Sequence, residues 1–437
     1  MVKITFLGAG SVVFAKNVLG DCMLTDSLKG AEVALYDINP QRLEEGYNMI
    51  QALKKNLGSD FTFKKYCGVE NRKEALRGAN FVVNAIQVGG YEPSTVIDFE
   101  IPKKYGLKQT IADTLGIGGI FRALRTIPVL REIAEDVEAV CPNAWFLNYT
   151  NPMAMLTGFM QRYTNVKTIG LCHSVQVCSK SLFKTLGMEV EGYSDKIAGI
   201  NHMAWLLEIR DAKGNDLYPE IRKRALEANN EKHGNMVRID YINKLGYYCT
   251  ESSEHNAEYN PFYIKNKYPE LIEKFNIPID EYITRCINAI ETWGKQRDDL
   301  MAGGNITHER SDEYASRIMN AMITNEPYTI GGNVINTGLI TNLPSKACVE
   351  VPCVINSNGI NPTYIGELPL QLAAMNITNI NPQLLTIEAA VTKKRETVYH
   401  AAMMDPHTAS ELSIDDIRSL CDDMIEAHNN TEFKVLI

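Results

Sequence analysis

Two groups of residues in this chain are of types that do chemistry together: Cys172 with His202, and Gly8-Ala9-Gly10-Ser11 with Asp37. A thiolate and a neutral imidazole can hold a divalent ion and leave coordination positions open for a substrate. Glycines that open a helix let backbone N–H groups approach a pyrophosphate at the positive helix end. A carboxylate at Asp37 would accept hydrogen bonds from ribose hydroxyls and repel the additional phosphate of NADP, which points to NAD. The third glycine of such a fingerprint is absent, with Val13 in its place. Each residue also has a plainer reading: a tight turn for the glycines, a small buried apolar residue for Cys172, a hydrogen-bonded histidine for His202.

Further candidates stand where predicted strands end. Strand 80–86 runs into Gln87-Val88-Gly89-Gly90, and strand 144–147 into Asn148-Tyr149-Thr150-Asn151-Pro152. Strand 166–171 runs into Cys172-His173-Ser174, and strand 195–200 into Asn201-His202. Ligands of an open parallel sheet bind beyond the carboxyl ends of its strands, so these amides, thiol and imidazoles share one edge. Cys172 and His202 meet if their strands are neighbours. Asp113 sits in the loop Gln109–Gly119, which could cover a ligand and carry an acid, or could only cap the following helix. The stretch Glu251-Ser252-Ser253-Glu254-His255-Asn256-Ala257-Glu258-Tyr259 is rich in titratable groups and reads as the solvated start of a surface helix.

The elements that must hold these residues follow from hydrophobic periodicity. Strands are expected at 2–7, 32–36, 62–66, 80–86, 144–147, 166–171 and 195–200, and helices near 12–28, 40–56, 71–77, 119–140 and 152–163. That alternation implies right-handed crossovers and a Rossmann-type, doubly wound, mostly parallel sheet. Beyond 205 the alternation stops. Segments 216–247, 267–302, 308–324, 365–402 and 411–429 read as helices around short strands in 328–357. The expected division is an NAD-binding domain over 1–200 and an α+β substrate and oligomerisation lobe over 201–437, as in lactate and malate dehydrogenases.

Composition narrows the function classes. The 437 residues are 45% hydrophobic and 22% charged with a formal net charge of −9, and no basic stripe is present. Nucleic acid is therefore not an expected partner. No apolar run approaches the roughly 18 residues that span a bilayer, and the first residues enter a strand at once, so a cytoplasmic location is expected. The ten cysteines include no C-x-x-C, and the closest pairs are Cys172/Cys178 and Cys348/Cys353, which suits a reducing compartment.

With these residues in hand, nearly the whole chain resembles glycoside hydrolase family 4, the NAD- and metal-dependent glycosidases. The resemblance rests on Gly8-Ala9-Gly10-Ser11, Gln87-Val88-Gly89-Gly90-Tyr91, Thr114-Leu115-Gly116, Asn148-Tyr149-Thr150-Asn151-Pro152, Cys172-His173-Ser174 and Asn201-His202. Gly332-Asn333-Val334-Ile335-Asn336 and Asn342-Leu343-Pro344 add to it. Cys172-His173-Ser174-Val175-Gln176, Ser252-Ser253-Glu254-His255 and Ala401-Ala402-Met403-Met404-Asp405-Pro406-His407 are most similar to members that cleave α-galactosides.

The resemblance implies chemistry outside the two-carboxylate scheme. NAD⁺ takes hydride from C3 of the sugar, a base removes the acidified C2 proton, and the aglycone leaves C1. Water then adds and the hydride returns, while Mn²⁺ chelates the C2 and C3 oxygens. It implies Cys172 and His202 as metal ligands, Gly8, Gly10, Ser11 and Asp37 at the cofactor, and Gln87, Asn148, Asn151 and Asn201 at the sugar. Members acting on 6-phosphorylated sugars carry arginine where Gln87 stands, so an unphosphorylated α-galactoside is expected, with an α-galacturonide or α-glucoside as alternative. An aspartate follows the metal cysteine in those members; His173 stands here, leaving Asp113 and His173 as candidate acids. Tyr259 is the candidate base. A homodimer or homotetramer is the assembly implied. A simple NAD-dependent dehydrogenase or an NAD-sensing module would leave the cysteine–histidine pair without a use.

Overall fold

The computed structural model describes residues 1–301 and 306–437, so the far end of the helix expected over 267–302 lies outside the described residues. Twelve strands form one sheet: β1 (Lys3–Leu7), β2 (Glu32–Asp37), β3 (Thr62–Cys67), β4 (Phe81–Asn84), β5 (Trp145–Asn148), β6 (Lys167–Leu171), β7 (Tyr193–Ile200), β8 (Met203–Asp211), β9 (Tyr248–Cys249), β10 (Tyr328–Ile335), β11 (Cys348–Asn356) and β12 (Gly359–Pro362). Their order is β3-β2-β1-β4-β5-β6-β10-β11-β7-β8-β9, with β12 on β11. The first six pair in parallel, in the 3-2-1-4-5-6 order of a dinucleotide-binding fold.

Sequence explains this half directly. Ile4, Phe6, Val33, Leu35, Val82 and Val83 are buried because helices cover both faces of a parallel sheet. The edge strand β3 alternates instead and carries Lys64 and Lys65, which discourage further pairing. Helix Pro40–Leu57 opens with Asn39 as cap, its side chain accepting from the Arg42 N–H, and closes on Gly58 in the left-handed conformation.

The expected parallel arrangement stops at β6. β10 pairs antiparallel with β6 and with β11, and β11 touches β7 antiparallel at a single pair, Glu350 opposite Gly199. β7 therefore runs opposite to β6, and two strands separate them. The strands that end at Cys172 and Asn201 are not neighbours. One row crosses the sheet here through Gly170, Asn333, Glu350 and Gly199. The alternation also outlasts residue 205, because β8 forms a hairpin with β7.

Three long helical segments are broken. Segment 267–302 divides into helices Glu270–Lys274 and Glu281–Met301. Segment 216–247 splits into helices Tyr218–Ala228 and Met236–Leu245 around the Asn-rich and Gly-containing turn at 229–235. Segment 365–402 begins only after Pro369 and divides at Lys393, which has positive φ, into helices Leu370–Thr392 and Arg395–Met404.

Candidate active site

Cys172 and His202 meet despite the strands between them: Sγ lies 3.3 Å from His202 Nε2. Cys172 caps β6, and His202 stands in the tight β7–β8 turn that the Glu350–Gly199 pairing draws up to the same row. Glu251 completes a cluster whose three ligand atoms lie within 4.8 Å of one another. Its carboxylate is 3.5 Å from His202 Nε2. His202 Nδ1 faces the Tyr259 hydroxyl at 3.2 Å. With Nε2 turned to the cluster, Nδ1 carries the proton and donates to that oxygen, which fixes ring and tautomer.

The electrostatics suit a cation. Burial drives His202 down to about 4, against the opposing pull of Glu251, so its imidazole is neutral at pH 7. Burial, reinforced by Glu251 and Glu350, pushes the Cys172 thiol well up, a cost that a divalent ion at Sγ reverses. Glu251 loses to burial but stays below the usual carboxylate range because His202, His255 and His173 surround it.

Strain concentrates here. Three of the seven non-glycine residues with positive φ among the described residues are Ala112 (54°), His202 (63°) and Glu251 (64°). Such conformations persist where surrounding structure imposes them, as it does at functional sites.

The Asp113 loop is held over the cluster by Glu258, whose carboxylate accepts the N–H groups of Thr110, Ile111 and Ala112 at 2.7–3.3 Å. Asp113 accepts from Asn151 Nδ2 at 3.1 Å and faces His255 Nε2 at 3.5 Å. Burial opposes its charge, yet His255 and Arg122 hold the Asp113 carboxyl far below its ordinary value. His255 is likewise buried, but Glu251 and Asp113 raise it to about 9, so this imidazole is charged at neutral pH.

At the other end, Gly8 and Ala9 donate to the Tyr36 carbonyl at 2.9 and 3.0 Å, and Gly10 donates to Asp37 Oδ2 at 2.7 Å. Gly8 has φ +88°, and a Cβ there would sit 2.7 Å from the Ala85 carbonyl oxygen. A Cβ on Gly10 would lie 2.7 Å from Asp37 Oδ2. Gly46 takes up the close-packing role of the missing third glycine: a Cβ there would come 2.5 Å from the Ala9 oxygen. Val13 is consequently free to be exposed. One cavity of about 340 Å³ joins the two ends, lined by Ser11 and Phe14 at the glycine turn and by Cys172, His202, Glu251 and Asp113 at the cluster.

This geometry can be set beside known proteins. The description "Family 4 glycosyl hydrolase" matches residues 3–188, and that family's C-terminal domain matches residues 197–408. The chain belongs to glycosyl hydrolase family 4. It is 64% identical to an alpha-galactosidase of Bacillus subtilis (strain 168) over 98% of this chain and 99% of that one. An alpha-galactosidase of Rhizobium meliloti (strain 1021) is 33% identical over 97% and 88%. A 6-phospho-alpha-glucosidase from gut microorganisms, solved with NAD and Mn²⁺, shares the fold with a TM-score of 0.81 at 19% identity, over 98% of both chains.

Within this family 4 chain, the residues singled out in the sequence fall into three places. Ser11, Gln87, Asp113, Asn151, Cys172, His173 and His202 line the cavity. Gly8, Gly10 and Asp37 form the glycine-turn cradle. Asn148, Asn201 and Tyr259 lie behind it, fully buried. Asn148 donates to the Thr150 carbonyl and Thr157, Asn201 donates to Glu350 at 3.3 Å, and Tyr259 backs His202. The stretch 251–259 is not a solvated helix start. Ser253, His255, Glu258 and Tyr259 are buried, because short helix Ser253–Glu258 is bonded to the Asp113 loop through Glu258 and to the β7–β8 turn through Asn256, which donates to the His202 carbonyl. Sequence reasoning missed Glu251, His255, Arg122, Tyr282 and Glu313 as cavity residues. The titratable density of 251–259 was a signal for the first two; Arg122 gave none, reading as one polar position of a long helix.

Proposed function

We propose that the protein is an α-galactosidase that hydrolyses unphosphorylated, melibiose-like α-galactosides with NAD and Mn²⁺. The observation that carries this reading is the single cavity running from a dinucleotide cradle to a cysteine–histidine–glutamate cluster. The 64% identity to an alpha-galactosidase supports the choice of sugar. Gln87 at the exposed side supports a neutral C6, since an amide cannot balance a phosphate dianion.

The donor set fits both groups. Cys172, His202 and Glu251 would hold the ion, and the first turn of helix Val12–Met23, which the glycine turn leads into, would hold the dinucleotide together with the Asp37 carboxylate. When bound, NAD supplies a reversible hydride acceptor and the ion a Lewis acid for vicinal sugar oxygens. The chain's own residues do the rest. Tyr259 and the polar residues behind the cavity hold His202 rigid. Asp113 Oδ1 and His255 Nε2 hold a proton between them that can serve the leaving oxygen, and His173 offers a second donor on the exposed side. Gln87 and Asn151 present amides to sugar hydroxyls. Burial, with Asp113, Glu258 and Glu251 around it, keeps the Tyr259 phenol well above its ordinary pKa, so it acts as a base only under a neighbouring cation.

Residues 1–200 provide the cradle and Cys172, and 201–437 provide His202, Glu251, His255 and Tyr282. That sharing supports the two-lobe reading. All ten cysteines are free, which supports a reducing cytoplasm, and a homodimer or homotetramer is proposed on the family resemblance alone. No helix among the described residues is long and apolar enough to cross a membrane.

The test is hydrolysis of a chromogenic α-galactoside by EDTA-stripped protein, with NAD⁺, Mn²⁺ and reductant restored singly and together. Release that requires all three with no net NADH is the expected result. Release from a glucoside or galacturonide alone would move the sugar, and NADH without aglycone would indicate a dehydrogenase.

A further inference from the structure

Arg125, in helix Gly116–Val140, is the most deeply buried arginine among the described residues, at 2% exposure. Its Nη1 and Nη2 donate to the two carboxylate oxygens of Asp98 at 3.0 and 2.6 Å, and its Nε donates to the Val88 carbonyl at 3.1 Å. A guanidinium is planar and rigid, so fastening two of its nitrogens to one carboxylate fixes where the third points. Asp98, in helix Val96–Lys104, therefore sets the position of the Val88 carbonyl. Val88 follows Gln87, whose amide lines the cavity. The Asp98 carbonyl also accepts from Gln109 Nε2 at 2.8 Å, at the start of the Asp113 loop. That loop has a separate anchor in Glu258, so loss of the network falls first on the Gln87 loop.

What holds Asp98 comes from far along the chain. His428, in helix Ile414–Asn429, is fully buried, and its Nε2 donates to Asp98 Oδ1 at 3.0 Å. Its ring stacks on Phe121, one helical turn before Arg125, with centroids 5.9 Å apart and planes 14° apart. His428 Nδ1 finds no partner among the described residues, so Asp98 is the one polar attachment of this imidazole. An apolar side chain would pack such a core position without leaving a nitrogen unbonded, a cost that the bond to Asp98 offsets. Among the described residues, none of this helix lines the cavity.

We infer that His428 is a positioning residue: through Asp98 and Arg125 it holds the Gln87 loop where its amide meets the sugar. This rests on the reading of the cavity as a glycoside site.

The test compares wild type, His428→Leu and His428→Gln as NAD- and Mn²⁺-loaded enzyme on an aryl α-galactoside. Leucine keeps the packing and removes the donor, whereas glutamine keeps an N–H able to reach Asp98. His428→Leu should raise KM by about fivefold with kcat within about twofold of wild type, and His428→Gln should recover most of that KM. In a Gln87→Ala background, His428→Leu should add nothing to KM, because both changes remove the same contact. Hydrogen exchange over residues 87–95 should quicken in His428→Leu while the first βαβ unit is unchanged. An unchanged KM, a KM effect that adds to that of Gln87→Ala, or unchanged exchange over 87–95 would overturn the inference. So would a joint loss of kcat and NAD affinity, the mark of general loosening. Should His428→Leu fail to fold, His428→Asn, whose shorter amide falls short of Asp98, takes its place under the same criteria. Wild-type cleavage of the α-galactoside reads the proposed activity by itself. If another glycoside is cleaved instead, the same ratios are read on that glycoside, and the exchange measurement needs none.

Discussion

The two ends of the active cavity are built in opposite ways. The proposed dinucleotide cradle is shaped by backbone: Gly8 and Ala9 donate to the Tyr36 carbonyl and Gly10 to Asp37 at the next strand end, all within the first βαβ unit. The proposed metal cluster uses side chains from residues 172, 202 and 251, delivered by strands of opposite direction and a loop with positive φ at Glu251. A backbone site tolerates distance from its neighbours, because local turn chemistry suffices to shape it. A side-chain site depends on every element that aims it, which is why strained φ values gather at Ala112, His202 and Glu251 and not at the cradle.

The largest test of that contrast is to break the cluster. Cys172→Ser or His202→Ala should abolish stoichiometric metal by elemental analysis and lower kcat/KM by about a thousandfold, several kcal/mol of lost Lewis-acid stabilisation, with NAD binding intact. Equal loss of NAD binding would show that the two ends are not separable. Weakening the support should cost less. Tyr259→Phe removes the partner of His202 Nδ1 and should reduce metal affinity by about 10- to 100-fold, measured by chelator competition. At the cradle, Gly10→Ala brings a Cβ to 2.7 Å from Asp37 Oδ2 and Arg42 Cβ. NAD affinity should fall by about tenfold, roughly 1.4 kcal/mol, while metal content stays unchanged.

A separate effect, on stability and not on binding, concerns Glu350, in the polar row beneath the cluster. Burial lifts its carboxyl to about 7, partly relieved by hydrogen bonds from Asn333 and Asn201. A folded pKa above the unfolded one means that the folded protein binds the proton more tightly. This contribution is complete below about pH 4.5 and is lost as pH rises through about 7, up to about 3 kcal/mol. Glu350→Gln should flatten the fall in stability between pH 5 and pH 8, read from urea midpoints. A slope identical to wild type would place that proton elsewhere.

Particular residues show how far the chain could be read unaided. The central strands of the parallel half were legible because both their faces are apolar and the edge strand β3 by its flanking signals, while Cys172 and His202 stood out by type and by position at strand ends. Helix Ser174–Thr185 escaped notice, since its apolar positions are mixed with polar ones, and strand β8 escaped notice although Met203–Leu207 is a continuous apolar run. The reading of 251–259 as solvated failed because its carboxylates and histidine are neutralised by one another and by backbone N–H groups at 110–112. Such pairing between distant segments leaves no periodicity.

Local order therefore decided the cradle: strand, glycine turn, helix, strand and acid are consecutive, and backbone geometry acts over a few residues. The cluster was decided by tertiary structure. Only the antiparallel insertion of β10 and β11 between β6 and β7 places Glu350 against Gly199 and turns His202 toward Cys172. Burial and neighbouring charges then set which groups carry charge: His202 is neutral and His255 protonated. Desolvation and charge proximity depend on distances through space, and no spacing along a chain encodes those on its own.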